Sequence, residues 1–207
     1  MIKTFVVVLG IVVLTVPAMA TMRITEWAYK GDDGEFIEFT NIGNDLIDMS
    51  GWSFSDDRRI PGTTPLSEFG IVQPGESVIL SQDTAATFRT NWSLSEMVKV
   101  IGENDANLGR NDEINLYDAG DVLIDRLTYG DEDFPGTIRT NNKSGNPATP
   151  AALGVNDVYQ WVLASEGDAF GSYAGAHGSL ANPGTYVPEP MSLTLMLVAG
   201  LGLVRRR

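Results

Sequence analysis

Apolar and polar side chains alternate through much of residues 23–129, and glycine, proline, aspartate or asparagine repeatedly breaks the alternation. A period of two sends successive side chains to opposite faces of an extended chain, so each such stretch suits a strand with one buried face. This pattern restricts the chain to an all-β fold. Arg23 to Tyr29 and Glu35 to Asn41 read as strands, joined by Lys30-Gly31-Asp32-Asp33-Gly34, whose glycines and aspartates suit a hairpin connection. Gly51 to Ser55 places Trp52 and Phe54 on one face and serines on the other. Gln73-Pro74-Gly75-Glu76 sets Pro and Gly at the central positions of a type II turn leading into Ser77 to Ser81.

Val98 to Ile101 reads as another short strand, and the clearest hairpin is Glu113 to Tyr117 followed by Val122 to Tyr129. Its loop, Asp118-Ala119-Gly120-Asp121, offers Gly120 for positive φ. One short helix is expected at Thr84 to Thr90, with Asp83 as its cap. Asp131 to Leu153 is rich in Pro, Gly, Asn and Thr without a clean period, and reads as a surface excursion. A closing strand is expected around Val158 to Leu163, with Trp161 returning to the core, before Asn182-Pro183-Gly184 turns the chain toward its end.

The two ends follow different rules. Lys3, the apolar Phe5 to Val16 and the small-x-small Ala18-Met19-Ala20 have the order of a secretory signal peptide, cut after Ala20. At the other end Pro188-Glu189-Pro190 is stiff and extended, 191–204 is uncharged and mostly apolar, and Arg205, Arg206 and Arg207 follow. Fourteen residues at about 1.5 Å each give roughly 21 Å of helix, against an apolar bilayer core of about 30 Å. Snorkelling arginines and local thinning can absorb that shortfall, and the arginines favour the cytoplasmic side. This tail resembles the PEP-CTERM sorting signal of exported bacterial proteins. The resemblance implies cleavage near the Pro-Glu-Pro by an exosortase, a membrane peptidase, and delivery to the cell surface or extracellular matrix.

Three parts are therefore expected: a signal peptide over 1–20, a β domain over 21–187, and a sorting tail over 188–207 with its transmembrane helix at 191–204. The ends hold Lys3 and the three arginines and no acid beyond Glu189, so 10 cations face 27 acids in residues 21–190. Such a surface repels phosphate backbones and argues against nucleic-acid partners. There is no cysteine, which removes thiol chemistry and leaves stability to a hydrophobic core.

The middle carries a second resemblance. Ile24-Thr25-Glu26, GEFIEFTN (34–41), DMSGWSFSDD (48–57), QPGESVILS (73–81) and LGRNDEINLYDAGDVLID (108–125) resemble the lamin-tail domain, loosely so after Tyr129. The family implies an immunoglobulin-like β-sandwich, with Trp52 and Phe54 between the sheets and Gly51 at a tight turn. It occurs in exported bacterial proteins, sometimes beside nucleases or phosphatases, and offers no established active site to carry over.

Chemistry is sparse. His177, the single histidine, lies in Gly175-Ala176-His177-Gly178-Ser179, with no Gly-x-Ser-x-Gly elbow to serve it, so a solvated loop residue is expected. Zinc sites built on several His or Cys ligands are excluded by count. Glu35 and Glu38 lie three apart on a strand and face opposite sides, so they cannot act as a pair from one face. The acidic groups Asp32, Asp33 and Glu35, Asp56 and Asp57, and Asp131, Glu132 and Asp133 are mainly solubilising. Asp32, Asp33, Asp131 and Asp133 are the candidates for Ca²⁺, although none has EF-hand spacing. Tyr29, Trp92 and Tyr173 are aromatics that could stack on sugars if exposed. The expectation is a non-enzymatic surface or matrix protein, structural or adhesive, that needs no cofactor. Its partners are signal peptidase, an exosortase-type peptidase, the membrane and exopolysaccharide. The alternative is a carbohydrate- or Ca²⁺-binding module, with a hydrolase ranked below both.

Overall fold

The computed structural model describes residues 21–188, so Ala18, Ala20, Glu189, Pro190, Arg205, Arg206, Arg207 and the helix expected at 191–204 lie outside the described residues. Among the described residues no helix is long and apolar enough to cross a membrane. The strands are β1 (Met22–Ala28), β2 (Phe36–Asn41), β3 (Ile47–Asp48), β4 (Ser53–Ser55), β5 (Thr64–Pro65), β6 (Ile71–Val72) and β7 (Ser77–Ser81). After helix α1 (Ala85–Asn91) come β8 (Lys99–Ile101), β9 (Asp112–Tyr117), β10 (Leu123–Tyr129), β11 (Gly145–Pro147), β12 (Trp161–Leu163), β13 (Tyr173–Ala174) and β14 (Leu180–Ala181).

One sheet runs β12-β11-β1-β2-β7-β8 and a second runs β10-β9-β4-β5, with the short ribbons β3-β6 and β13-β14 beside them. All pairs are antiparallel except β7 and β8, which α1 connects. Met22, Ile24, Ile37, Phe39, Val78 and Leu80 from the first sheet pack on Phe54, Ile114, Leu116 and Leu127 from the second. The result is a mostly β sandwich. Phe54 is fully buried between the sheets and Trp52 packs partly buried beside the same core. Gly51 turns with φ 77°, a conformation that suits glycine.

The outer face of the six-stranded sheet is also covered. Phe36 and Ile79 on that face pack under Phe88 and Trp92 from α1 and its end, with Ala28 and Ala181 alongside. One bulge sets the phase of β1. Ile24 pairs with Phe39 and Glu26 with Glu38, leaving Thr25 as the extra residue between them. A bulge lets two neighbouring residues face the same way. Ile24 and Trp27 both reach the core, and Thr25 bonds to Glu38 and Thr40 on the outer face that Glu26 shares.

Several local expectations shift. Positive φ in the 118–121 loop falls on Asp121 at 60°, because Asp121 N–H donates to Asp118 O in a tight turn and the next residue resumes the strand. Thr84 caps α1 by accepting from Thr87 N–H at 3.2 Å, while Asp83 precedes the cap. The 131–153 stretch is no mere excursion, since it contributes β11 between β1 and β12. Trp161 does return to the core, through the edge strand β12. Trp92 and Tyr29 are buried rather than exposed, and only Tyr173 keeps a substantial open surface.

Candidate functional site

The densest polar chemistry lies beneath residues 182–184, on the outer face of the six-stranded sheet. Glu26 and Glu38 stand opposite each other on β1 and β2, and both are fully buried. Glu26 Oε1 accepts from the Asn182 amide at 2.9 Å and from the Ser144 hydroxyl, while its Oε2 is buried with no partner. Glu38 accepts from Thr25 Oγ1 at 2.6 Å through Oε1, and from the Gly184 amide at 2.7 Å through Oε2. Among the described residues neither carboxylate forms an ion pair. Burial, reinforced by the neighbouring Glu38, pushes the Glu26 carboxyl up to about 8, and burial also raises Glu38. The sheet therefore stores at least one proton at neutral pH. Sequence reading separates Glu35 from Glu38 correctly, but misses the partner Glu38 does have. The bulge at Thr25 creates that pairing, and no local pattern announces it.

Glu35 faces the other way. Its Oε1 accepts from Leu108 N–H at 2.7 Å, and burial pushes it up to about 8 despite that bond, with Asp112 adding to the rise. Glu113 behaves oppositely. Arg59 grips it with two bonds, at 2.7 Å and 2.6 Å, and holds its carboxyl down at about 2.

The Ca²⁺ candidates are placed apart in function. Asp33 is fully buried and binds the glycine-rich loop: its carboxylate accepts from the amides of His177 at 2.8 Å and Ser179 at 2.9 Å. His177 Nδ1 lies 3.0 Å from the same carboxylate, and the imidazole remains largely exposed. Burial opposes the charge on Asp33, yet the amides of Ser179 and His177 outweigh it and hold the carboxyl below its ordinary value. Ser179 Oγ accepts from the Asp33 amide at 3.3 Å, so this Ser-His-Asp set closes a loop instead of lining up a nucleophile. Asp32 stays near the surface, its amide bonded to Asn142 Oδ1. Asp131 is engaged by Arg110 at 2.7 Å through both carboxylate oxygens, and Asp133 is exposed. Among the described residues no three acidic or histidine side chains come together as a metal site.

A cleft of 470 Å³ opens elsewhere, where the chain leaves the sandwich. Ile42, Asn44, Pro150, Leu153, Tyr186 and Pro188 are among its walls. Asn41, also in its lining, is already committed, since its amide donates to the Asp45 and Val72 carbonyls. The surface is apolar with amide and phenol groups, suited to contact more than to proton transfer.

No curated protein and no solved structure matches this chain. The family model described as Lamin Tail Domain matches residues 15–131, a span that includes the whole second sheet and four strands of the first (β1, β2, β7 and β8) but stops before β11 and β12. With more than half its length matched, and with a β-rich immunoglobulin-like sandwich of two sheets, the chain belongs to the lamin tail domain family.

Proposed function

We propose that this is a non-enzymatic exported protein, sorted to the cell surface or exopolysaccharide matrix by a PEP-CTERM-type tail, with a structural or adhesive role. The observation that carries the reading is the ordered run of Pro188-Glu189-Pro190, an uncharged apolar stretch and Arg205-Arg206-Arg207 directly after a β-sandwich. Signal peptidase cuts after Ala20, an exosortase-type peptidase acts near the Pro-Glu-Pro, and the arginines fix the depth of the tail. The carboxylate pairing supports a scaffold: Asp33, Glu113 and Asp131 are spent on the protein's own loops and arginines. Replacing Pro188, Glu189 and Pro190 by alanine should leave an uncut, membrane-bound precursor in its native cell. Normal processing of that variant contradicts the proposal.

One observation favours a second reading, a carbohydrate-binding module. The cleft beside Tyr186 presents an aromatic ring, three prolines (Pro74, Pro150 and Pro188) and the Asn44 amide, which is the mixture of flat apolar surface and hydrogen-bonding groups that sugars require. Binding on a glycan array that is lost in Tyr186→Ala supports it, and a blank array removes it.

A further inference from the structure

The pair Glu26 and Glu38 is more costly than any packing role demands. Two carboxyls face each other across adjacent strands in a site closed to water, and one oxygen has no partner. Among the described residues, the groups that bond to them are all neutral. β1 supplies Thr25, β2 supplies Thr40, β7 supplies Ser77, β11 supplies Asn146, and Ser144 comes from just before β11. Tyr173 of β13 is a titratable neighbour of both carboxyls, and its phenol donates to the Trp92 carbonyl at 2.8 Å. Like charges in such a place cannot both persist, so the closed site needs a proton.

The lid on this site is the chain segment 182–185. It is held by one amide on each carboxyl, Asn182 on Glu26 and Gly184 on Glu38. The lid is stiffened by its own turn, in which Thr185 N–H donates to Asn182 O and Asn182 Nδ2 donates to Thr185 O. Gly184 adopts φ 87° and sits against Val98 and Leu94, and Asn182 and Pro183 are buried, so the two carboxyl bonds act together with this packing to seat the turn.

We propose that Glu26 and Glu38 form a proton-operated latch that holds the 182–185 strap on the sheet when the pair keeps a proton and loosens it when both carboxyls ionise. Opening admits water, which lets the carboxyls return to their ordinary acidity and release the proton. Rising pH therefore favours the open strap. The direction agrees with the upward displacement of both carboxyls by burial. Release of one proton per opening gives roughly a tenfold rise in the opening equilibrium for each pH unit between about 5 and 8. The strap precedes Pro188 by a few residues, so the latch also governs how freely the following segment can be presented. The latch itself is independent of what that segment does.

Hydrogen exchange on the full-length protein tests this, with protection factors referred to the intrinsic rate at each pH. Between pH 6 and pH 8 the protection of the Asn182 and Gly184 amides should fall by roughly a hundredfold, while amides of the β9–β10 hairpin change far less. Glu26→Gln copies the protonated acid, and should keep the strap closed and flatten its pH response. Glu38→Gln, made separately, should do the same and guards against a fault peculiar to one variant. Equal strap protection at both pH values overturns the latch, as does an undiminished pH response in both variants. Added Ca²⁺ that restores protection at pH 8 in the wild type overturns it too, because the pair would then be a cation site.

Discussion

Glu35→Gln offers a sharp test of how burial sets the energetics of this sandwich. In the folded chain Glu35 is raised from 4.5 to about 8, chiefly by burial, and its Oε1 accepts from Leu108 N–H. Its raised value means that its stabilising proton is fully in place below pH 4.5. That contribution is lost as pH rises toward 8, since the unfolded chain gives up the proton first. At pH 7 the cost of keeping Glu35 protonated is about 3 kcal/mol, from 1.36 kcal/mol for each pH unit above 4.5. Glutamine retains the acceptor for Leu108 and has nothing to ionise. Allowing about 1 kcal/mol for its additional amide hydrogen leaves a net gain of about 2 kcal/mol at pH 7. Urea denaturation of wild type and variant at pH 5 and pH 7.5 should show their difference growing by about 3 kcal/mol in favour of the variant. A difference that stays constant across that interval refutes the reasoning, and so does a variant that is clearly less stable at pH 7.

Two further outcomes follow from the opposite class of carboxylate. Asp33→Asn should cost about 2 kcal/mol, the worth of charge-assisted bonds to the loop amides, and thermal melts with limited proteolysis should show cutting concentrated in 171–179. Glu113 is held at about 2 against 4.5 unfolded, so its contribution is present above pH 4.5 and lost as pH falls toward 2. Arg59 is half exposed, and allowing for screening leaves about 2 kcal/mol, which Glu113→Gln should remove from acid denaturation curves.

The sandwich was legible wherever alternation and turn chemistry coincide. Ser77–Ser81 is a strand at the bounds its pattern suggests, and the turn before it has Gly75 at φ 77° with Glu76 N–H donating to Gln73 O. β11 was not legible. Gly-Asn-Pro has no strand composition, and Gly145 is present because a side chain there would strike the Trp27 ring, with a Cβ only 2.5 Å from it. That requirement is set by a residue more than a hundred positions away. The same distance hides the site. Glu26 meets Ser144 and Asn182, and Asp33 meets His177 and Ser179, through contacts that no local window contains. The bulge at Thr25 then shifts the phase of β1, so a strict alternation assigns wrong faces on one side of it.

The position of β11 has a consequence for how the molecule can be made. β1 leads the described chain, yet its second neighbour, Gly145 opposite Trp27, arrives after every other partner in the two main sheets except β12. A nascent or truncated chain ending at residue 131 would leave β1 with one side open and Trp27 without the ring of Trp161. Unpaired strands of this kind recruit other chains. Fragments cut at the border of the family match should therefore clump, and the shortest well-behaved version of the protein must run at least through Leu163.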